Sequence, residues 1–345
     1  MKTSILVTAL AIGGLFTACH KTSFVEQNDA GAYGSTGKLF GAIDGEATDT
    51  ICIPINEMGD TTYRGFQGGF YPNGATTPQG QYAADLDSIN KTIWGLDTAG
   101  NRKNKAGTIV IGGVGVCLSG APVNGLRRRK RNPLTIQNIN FVNFEYGGAT
   151  FQYIADPNSI YWDHVALKMP SQNTTYKQVQ MLWMTSDDST SITDFPARPL
   201  LSKENIKAAV RTLKIKFPNL KIIYFVGRPY TYNLSDTAGT GKIMNSRSKN
   251  PAPYHQGWAE KWVLEDQING DPGLAYKGPN AVAPILTWGA YEWTQGKLPN
   301  ADGFTWYPSD TRDGLHPTDA GKDKIAQYFW NFLTTDPYTT QWYLK

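Results

Sequence analysis

Five short apolar runs, spaced along the chain and separated by helical or Gly/Pro-rich stretches, constrain the fold more than any other feature. They occupy 108–116, 135–144, 179–184, 220–226 and 283–288. Each is bounded by turn-forming residues, is mainly apolar or β-branched, and is short for a helix, as expected of strands buried on both faces. Helical patterns fall between and after them. Ser202 is placed to cap a helix over 203–217, with Ile206, Ala209, Val210 and Leu213 on one face and Pro218 as its stop. A second covers 254–268, with Trp258, Trp262 and Leu264 at helical spacing and Asn269-Gly270 at its end. A third follows Thr318 and presents Ile325, Phe329 and Phe332. Strands alternating with helices predict an α/β fold, a three-layer α/β/α sandwich around a parallel five-stranded sheet.

Ligands of such sheets sit beyond the carboxyl ends of the strands. The loops there read Cys117-Leu118-Ser119-Gly120, Glu145-Tyr146-Gly147-Gly148, Thr185-Ser186-Asp187-Asp188, Gly227-Arg228-Pro229-Tyr230 and Trp288-Gly289. A sixth loop, Asp313-Gly314-Leu315-His316-Pro317, precedes the last helix. A carboxylate three residues before a histidine can hold one ring nitrogen and leave the other as a general base. The chain has His20, His164, His255 and His316, and only His316 has an acid so placed. The competing reading is an aspartate that merely closes a turn beside a surface histidine.

The amino terminus predicts export. Lys2 precedes an apolar run over 5–16, too short to span a bilayer, and then Leu15-Phe16-Thr17-Ala18-Cys19. This ending resembles a bacterial lipobox, which would make 1–19 a lipoprotein signal and Cys19 the lipidated residue. An ordinary secretory signal with a chance cysteine is the alternative. Residues 20–37 then read as a flexible tether and 38–345 as the folded domain, with an irregular layer over 38–107.

A net charge of +4 on 345 residues is too small to imply a nucleic-acid partner. The basic run Arg127-Arg128-Arg129-Lys130-Arg131 reads as a solvated loop or, less simply, as an anion contact. Cys52 and Cys117 could pair in an oxidising compartment. Four scattered histidines form no metal-ligand spacing, so neither a metal nor another cofactor is expected. Trp288, Tyr291, Trp293 and Trp306 stand among Gly, Pro and Asn in loops, where ring faces could stack on sugars or simply cover the core.

Taken in order, several blocks resemble the SGNH (GDSL-type) hydrolases, and more narrowly a bacterial lipoprotein branch related to sugar-ester hydrolases. They are Tyr63-Arg64-Gly65 with 68–74, the run 109–115 entering a nucleophile turn, and Gly147-Gly148 with Ala155-Asp156-Pro157. Phe217-Pro218-Asn219, Gly257-Trp258 with Glu265-Asp266-Gln267, Trp288-Gly289-Ala290-Tyr291 and Asp313-Gly314-Leu315-His316-Pro317 complete the set. The likeness spans residues 60–343 and implies a flavodoxin-like SGNH fold. It would make His316 the base, Asp313 its orienting partner, and Gly147 or Gly148 a backbone oxyanion donor. The family's oxyanion amide is missing after the third strand, leaving Ser186 as its stand-in. At the nucleophile, the related Gly-x-Ser-Asn is here Gly115-Val116-Cys117-Leu118, so Cys117 takes the serine position and Ser119 is the alternative.

A cysteine beside a histidine can form a thiolate and attack a carbonyl. The resulting expectation is an exported, membrane-anchored ester hydrolase that removes O-acyl (acetyl) groups from polysaccharide. A degenerate SGNH domain that binds an acylated glycan without turning it over is the alternative.

Overall fold

In the computed structural model, β3 (Ile109–Gly115) lies inside a parallel sheet of order β4-β3-β5-β6-β7. The model describes residues 52–103, 106–232 and 248–345. The other strands of that sheet are β4 (Ile139–Glu145), β5 (Val179–Thr185), β6 (Ile222–Phe225) and β7 (Ile285–Trp288). Preceding them is a small hairpin, β1 (Thr62–Tyr63) with β2 (Phe66–Gln67), and the helix α1 (Gly80–Asn90). β3, β5, β6 and β7 are buried throughout, because helices cover both faces and leave no polar side to the sheet. The predicted fold class is the observed one.

Helix α2 (Val123–Arg129) connects β3 to β4 and packs against α7 (Asp319–Thr335). A separate group is formed by α3 (Phe151–Ala155), α5 (Ala197–Lys216) and α6 (Ala252–Ile268), with α4 (Ile160–Ser171) beside α3; α8 (Thr340–Tyr343) closes the chain. The chain leaves β3 outward to β4 and returns past it to β5. The boundary between β3 and β5 is therefore the topological switch point, where a doubly wound sheet opens a crevice.

The predicted boundaries differ in two places. β4 starts at Ile139 and not at 135, because Ile136 N–H donates to Tyr343 O (3.0 Å) and residue 135 bridges to Leu344. The carboxyl terminus thus takes up the first part of that apolar run. α5 starts at Ala197, so Ser202 lies buried inside the helix and not at its cap. Pro199 sits in its first turn, where a missing N–H leaves no intrahelical bond unmade. The last helix starts as expected: Thr318 caps it by accepting from Gly321 N–H (3.1 Å).

Arg127, Arg128 and Arg129 of the basic run end helix α2, and Lys130 and Arg131 lie in the turn after it, so the run is not simply a solvated loop. Arg128 and Arg129 both reach Asp323 on α7 (2.7 and 3.0 Å), and Arg127 donates to Phe141 O (2.8 Å). Lys130 donates to Ile139 O (3.0 Å), so these four cations staple α2 to α7 and β4. Cys52 and Cys117 do not form a disulfide with each other. Cys19, the signal and the tether lie outside the described residues. Among the described residues, no helix is long and apolar enough to cross a membrane.

Candidate active site

The end of β3 is shaped by two close approaches. A Cβ on Gly113 would lie 2.0 Å from Ser119 O, and one on Gly115 would lie 1.9 Å from Thr185 O. Gly115 also has φ +123°, a conformation that side chains rarely adopt. Parallel pairing sets Gly115 level with Glu145 on one side and Thr185 on the other. Past it, Val116 N–H donates to Thr185 O (3.2 Å), and Tyr146 N–H donates to Gly115 O (3.0 Å). The chain then enters a single 3-10 turn, Cys117–Gly120, at the switch point, with Cys117 half-buried at its start.

The opposing loop is held from both ends. Arg312 N–H donates to His316 O (2.8 Å), Thr318 N–H to Asp310 O (2.8 Å), and Tyr232 N–H from the β6 loop to Gly314 O (2.9 Å). Asp313 Oδ1 accepts from His316 N–H (2.7 Å) and Leu315 N–H (3.1 Å), while Oδ2 lies 2.6 Å from His316 Nδ1. Partial burial opposes ionisation of Asp313, but these bonds outweigh it and hold the carboxyl below its ordinary value. With Nδ1 engaged, Nε2 is the ring nitrogen left for another partner.

Interaction with the Cys117 side chain is the main cause that raises the His316 imidazole to about 9, with the Cys117 charge and Asp313 adding to it against burial. The sequence placed Cys117 on one loop and Asp313 with His316 on another, and the fold brings the two loops together.

Ser119, the other residue offered by the sequence as a nucleophile, is turned inward. Ser119 is fully buried, its hydroxyl donates to Val116 O (2.8 Å), and its carbonyl accepts from Trp183 Nε1 (2.7 Å). Ser186 is also corrected as an oxyanion side chain, since its single O–H is donated to Ala149 O (2.7 Å) and the residue is buried. That bond instead fixes the loop after β4, together with Phe151 N–H on Asp187 O (2.9 Å). Gly147 and Gly148, on the same loop, are exposed, and a Cβ at either would meet nothing within 4 Å.

The four loop aromatics present no ring face to solvent. Trp288, Tyr291, Trp293 and Trp306 are 5%, 1%, 1% and 0% exposed. Trp288 stacks on Phe70 at 4.4 Å and donates to Phe70 O (2.9 Å), and Trp293 donates to Cys52 O (2.8 Å). Tyr291 fills a notch left by Gly227 and Gly257, while Trp306 stacks with Phe304. The amino-terminal layer covers Trp288 and Tyr291 through Phe70 and Trp293 through Cys52, while Trp306 is buried beside Phe304 and Tyr232. Sugar stacking by these four is therefore excluded.

Sequence reasoning placed Asp187 and Arg228 in the loops after the strands but missed which charged groups are buried. Asp187 is buried between Arg228 (3.0 Å) and Arg198 (3.6 Å). Glu260 and Glu292 are also buried, Glu260 accepting from Gly227 N–H (2.9 Å) and Gln256 (3.2 Å). Glu145 lies against the Cys117–Gly120 turn, where a Cβ on Gly120 would meet its Oε2 at 1.7 Å. Only burial distinguishes these acids from surface ones, and burial is not legible in a single sequence. Of the other described histidines, His164 Nε2 pairs with Glu145 O (2.9 Å) and His255 Nε2 with Tyr63 OH (3.2 Å). Among the described residues no group of three or more His, Cys, Asp or Glu is placed to hold a metal ion.

No family model matches the sequence, and no curated protein matches it. Among solved structures, the chain is similar to the periplasmic domain of a lipopolysaccharide acetyltransferase from Salmonella ser. Paratyphi A. That likeness has 17% identity and a TM-score of 0.36, over 74% of this chain and 98% of that one. It is also similar to a protein from Streptococcus pneumonia provisionally assigned as a platelet activating factor. There the identity is 12% and the TM-score 0.37, over 73% and 91% of the two chains. Likenesses this distant carry no weight for function, which rests on the site itself.

Proposed function

We propose that this chain is an exported hydrolase of acyl esters, of SGNH type, with Cys117 as nucleophile, His316 as general base and Asp313 as its orienting partner. The Asp313–His316 hydrogen bond, with Cys117 acting on the same imidazole at the switch point of the sheet, carries the reading. His316 Nε2 takes the thiol proton, and the thiolate sulfur adds to the ester carbonyl, placing negative charge on its oxygen. Backbone N–H groups of Gly147 or Gly148 are the proposed donors to that oxyanion. Collapse breaks the ester C–O bond, and the alcohol leaves with the proton held by His316. Water, losing a proton to His316, then attacks the thioester, releases the acid and restores the thiol.

Polysaccharide O-acetyl as substrate, and Cys19 as a lipid anchor holding the enzyme at a membrane, rest on the sequence resemblance. Hydrolysis of a short-chain aryl ester by the purified protein tests the core of the proposal. Cys117→Ala and His316→Ala should each lower kcat by about 10²-fold or more, the usual scale of removing a nucleophile or a general base. A wild-type protein inert toward aryl and acetylated-glycan esters would instead support a glycan-binding relic of the fold.

A further inference from the structure

The exposed glycines offered as oxyanion donors have no packing of their own. A Cβ at Gly147 or Gly148 would meet nothing within 4 Å, and Gly148 has φ +79°. Backbone so unconfined takes its direction from whatever holds its two ends. On the amino-terminal side, Tyr146 N–H donates to Gly115 O (3.0 Å) at the end of β3. On the other side stands a buried carboxylate that the acyl chemistry does not use. Asp188, fully buried in the loop after β5, accepts from Gln152 Nε2 (3.0 Å), Thr190 N–H (2.8 Å) and Asn205 Nδ2 (2.8 Å). Gln152, in the first turn of α3, accepts in return from Ser189 N–H at its Oε1 (3.3 Å). The three donors to Asp188 are neutral, and the nearby Arg228 and Arg198 pair with Asp187 instead (3.0 and 3.6 Å). Three N–H groups converging on two oxygens suit an acceptor that carries no donor, and an asparagine would turn an N–H toward one of them.

We propose that Asp188, acting through Gln152, is a positioning residue for the loop 147–151, which rests on the reading of Gly147 or Gly148 as oxyanion donors. The two-way contact of Gln152 with Asp188 and Ser189 ties the start of α3 to the β5 loop. It stands beside two further ties, Phe151 N–H on Asp187 O (2.9 Å) and Ser186 O–H on Ala149 O (2.7 Å). Asn205 fixes the other carboxylate oxygen to α5, a helix of 20 residues, so the loop is held to a rigid element. The two glycines are thus gripped between the ends of β3 and β5, the strands that flank the switch point. Donors stabilise a developing oxyanion only when their direction is set before the reaction, and a displacement of about 1 Å can lose about 10²-fold in rate. Asp188 itself is buried and makes or breaks no bond in the reaction.

The test compares the full chain with Asp188→Ala and with Gln152→Ala on a short-chain aryl ester. Gln152 is half-buried, so its variant keeps the test open should Asp188→Ala fail to fold, and melting temperatures identify the folded proteins. Each folded variant should lose about tenfold or more in kcat with KM within about twofold of wild type, since a misdirected donor is felt in the transition state and not in substrate binding. The double variant should be no slower than the slower single one, because the two residues act as a unit. Alkylation of Cys117 by iodoacetamide, which displaces iodide and develops no oxyanion, should keep its wild-type rate in both. A folded Gln152→Ala with wild-type kcat would overturn the inference and leave the hydrolase reading intact. So would a loss of alkylation in step with kcat, which would assign the effect to Cys117 and His316. A wild-type chain inert to every ester would overturn the hydrolase reading, and this inference with it.

Discussion

At position 117 a sulfur stands where the resembling hydrolases carry an oxygen, and this changes what His316 has to do. A serine hydroxyl is deprotonated only as it attacks, so its histidine rests neutral. A thiol is far more acidic, and a neighbouring imidazole can already hold its proton before the substrate arrives. His316 is raised to about 9, first by its interaction with Cys117, so at neutral pH it is largely protonated. Because the folded value lies above the ordinary 6.5, this interaction stabilises the fold fully below that value and is lost as pH rises through about 9. Cys117→Ala removes the principal cause, and the His316 titration followed by NMR should then move down toward 6.5. A midpoint that stays near 9 in the variant would remove the thiol as the cause. The pentapeptide around Asp313 made the Asp–His pair legible from sequence, since both residues sit on one short turn. That His316 meets Cys117 rather than Ser119 was not legible, because only the 3-10 turn decides which of the two faces outward.

At the scale of elements, the end of β3 is where most of the site is built. Gly115 permits the left-handed exit and the approach of Thr185, and both follow from the absence of a side chain. Gly115→Ala should cost at least ~2 kcal/mol through backbone strain and overlap with the neighbouring strand. Denaturant unfolding would measure this, and a loss below ~0.5 kcal/mol would mean that the strand end relaxes freely. Strands were readable as apolar runs because burial on both faces imposes an unbroken pattern. Their ends were less readable, as at 135–138, where bonding to the carboxyl terminus replaces bonding within the sheet. The same limit applies to Ser202, whose capping chemistry was overridden by a helix that begins at Ala197.

Across the whole molecule, buried charge is the feature with the widest consequences. Glu292 is fully buried, and neither carboxylate oxygen has a hydrogen-bond partner among the described residues. Burial, then the charge of Glu260, pushes Glu292 well up, and burial raises Glu260 to about 8. Arg228 opposes both shifts and at the same time binds Asp187. A carboxyl raised in the fold contributes stability that is complete below its ordinary value, here 4.5, and is lost as pH rises through about 8. The melting temperature should therefore fall between pH 5 and pH 9, and Glu260→Gln should flatten that fall. An equally steep fall in the variant would place the effect elsewhere. Location is a separate property of the chain. Cys19→Ser should move the protein from the membrane fraction to the soluble one with its melting temperature unchanged, and retention in the membrane would exclude the anchor.

Sequence alone determined the α/β layers and the Asp313–His316 pair, because strand burial and a short turn each leave a local pattern. It also placed the thiol at the end of the first strand of the sheet. Tertiary structure decided everything that depends on what faces solvent. It turned Cys117 outward and Ser119 inward, and it spent the Ser186 hydroxyl on a neighbouring loop. It also buried Trp288, Tyr291 and Trp293 under the amino-terminal layer and Trp306 beside Phe304, and aromatic residues among glycines look alike in sequence whether or not other residues cover them. The buried acids were decided in the same way. The energy of a charge is set by what surrounds it in space, and that neighbourhood is assembled from segments far apart in the chain.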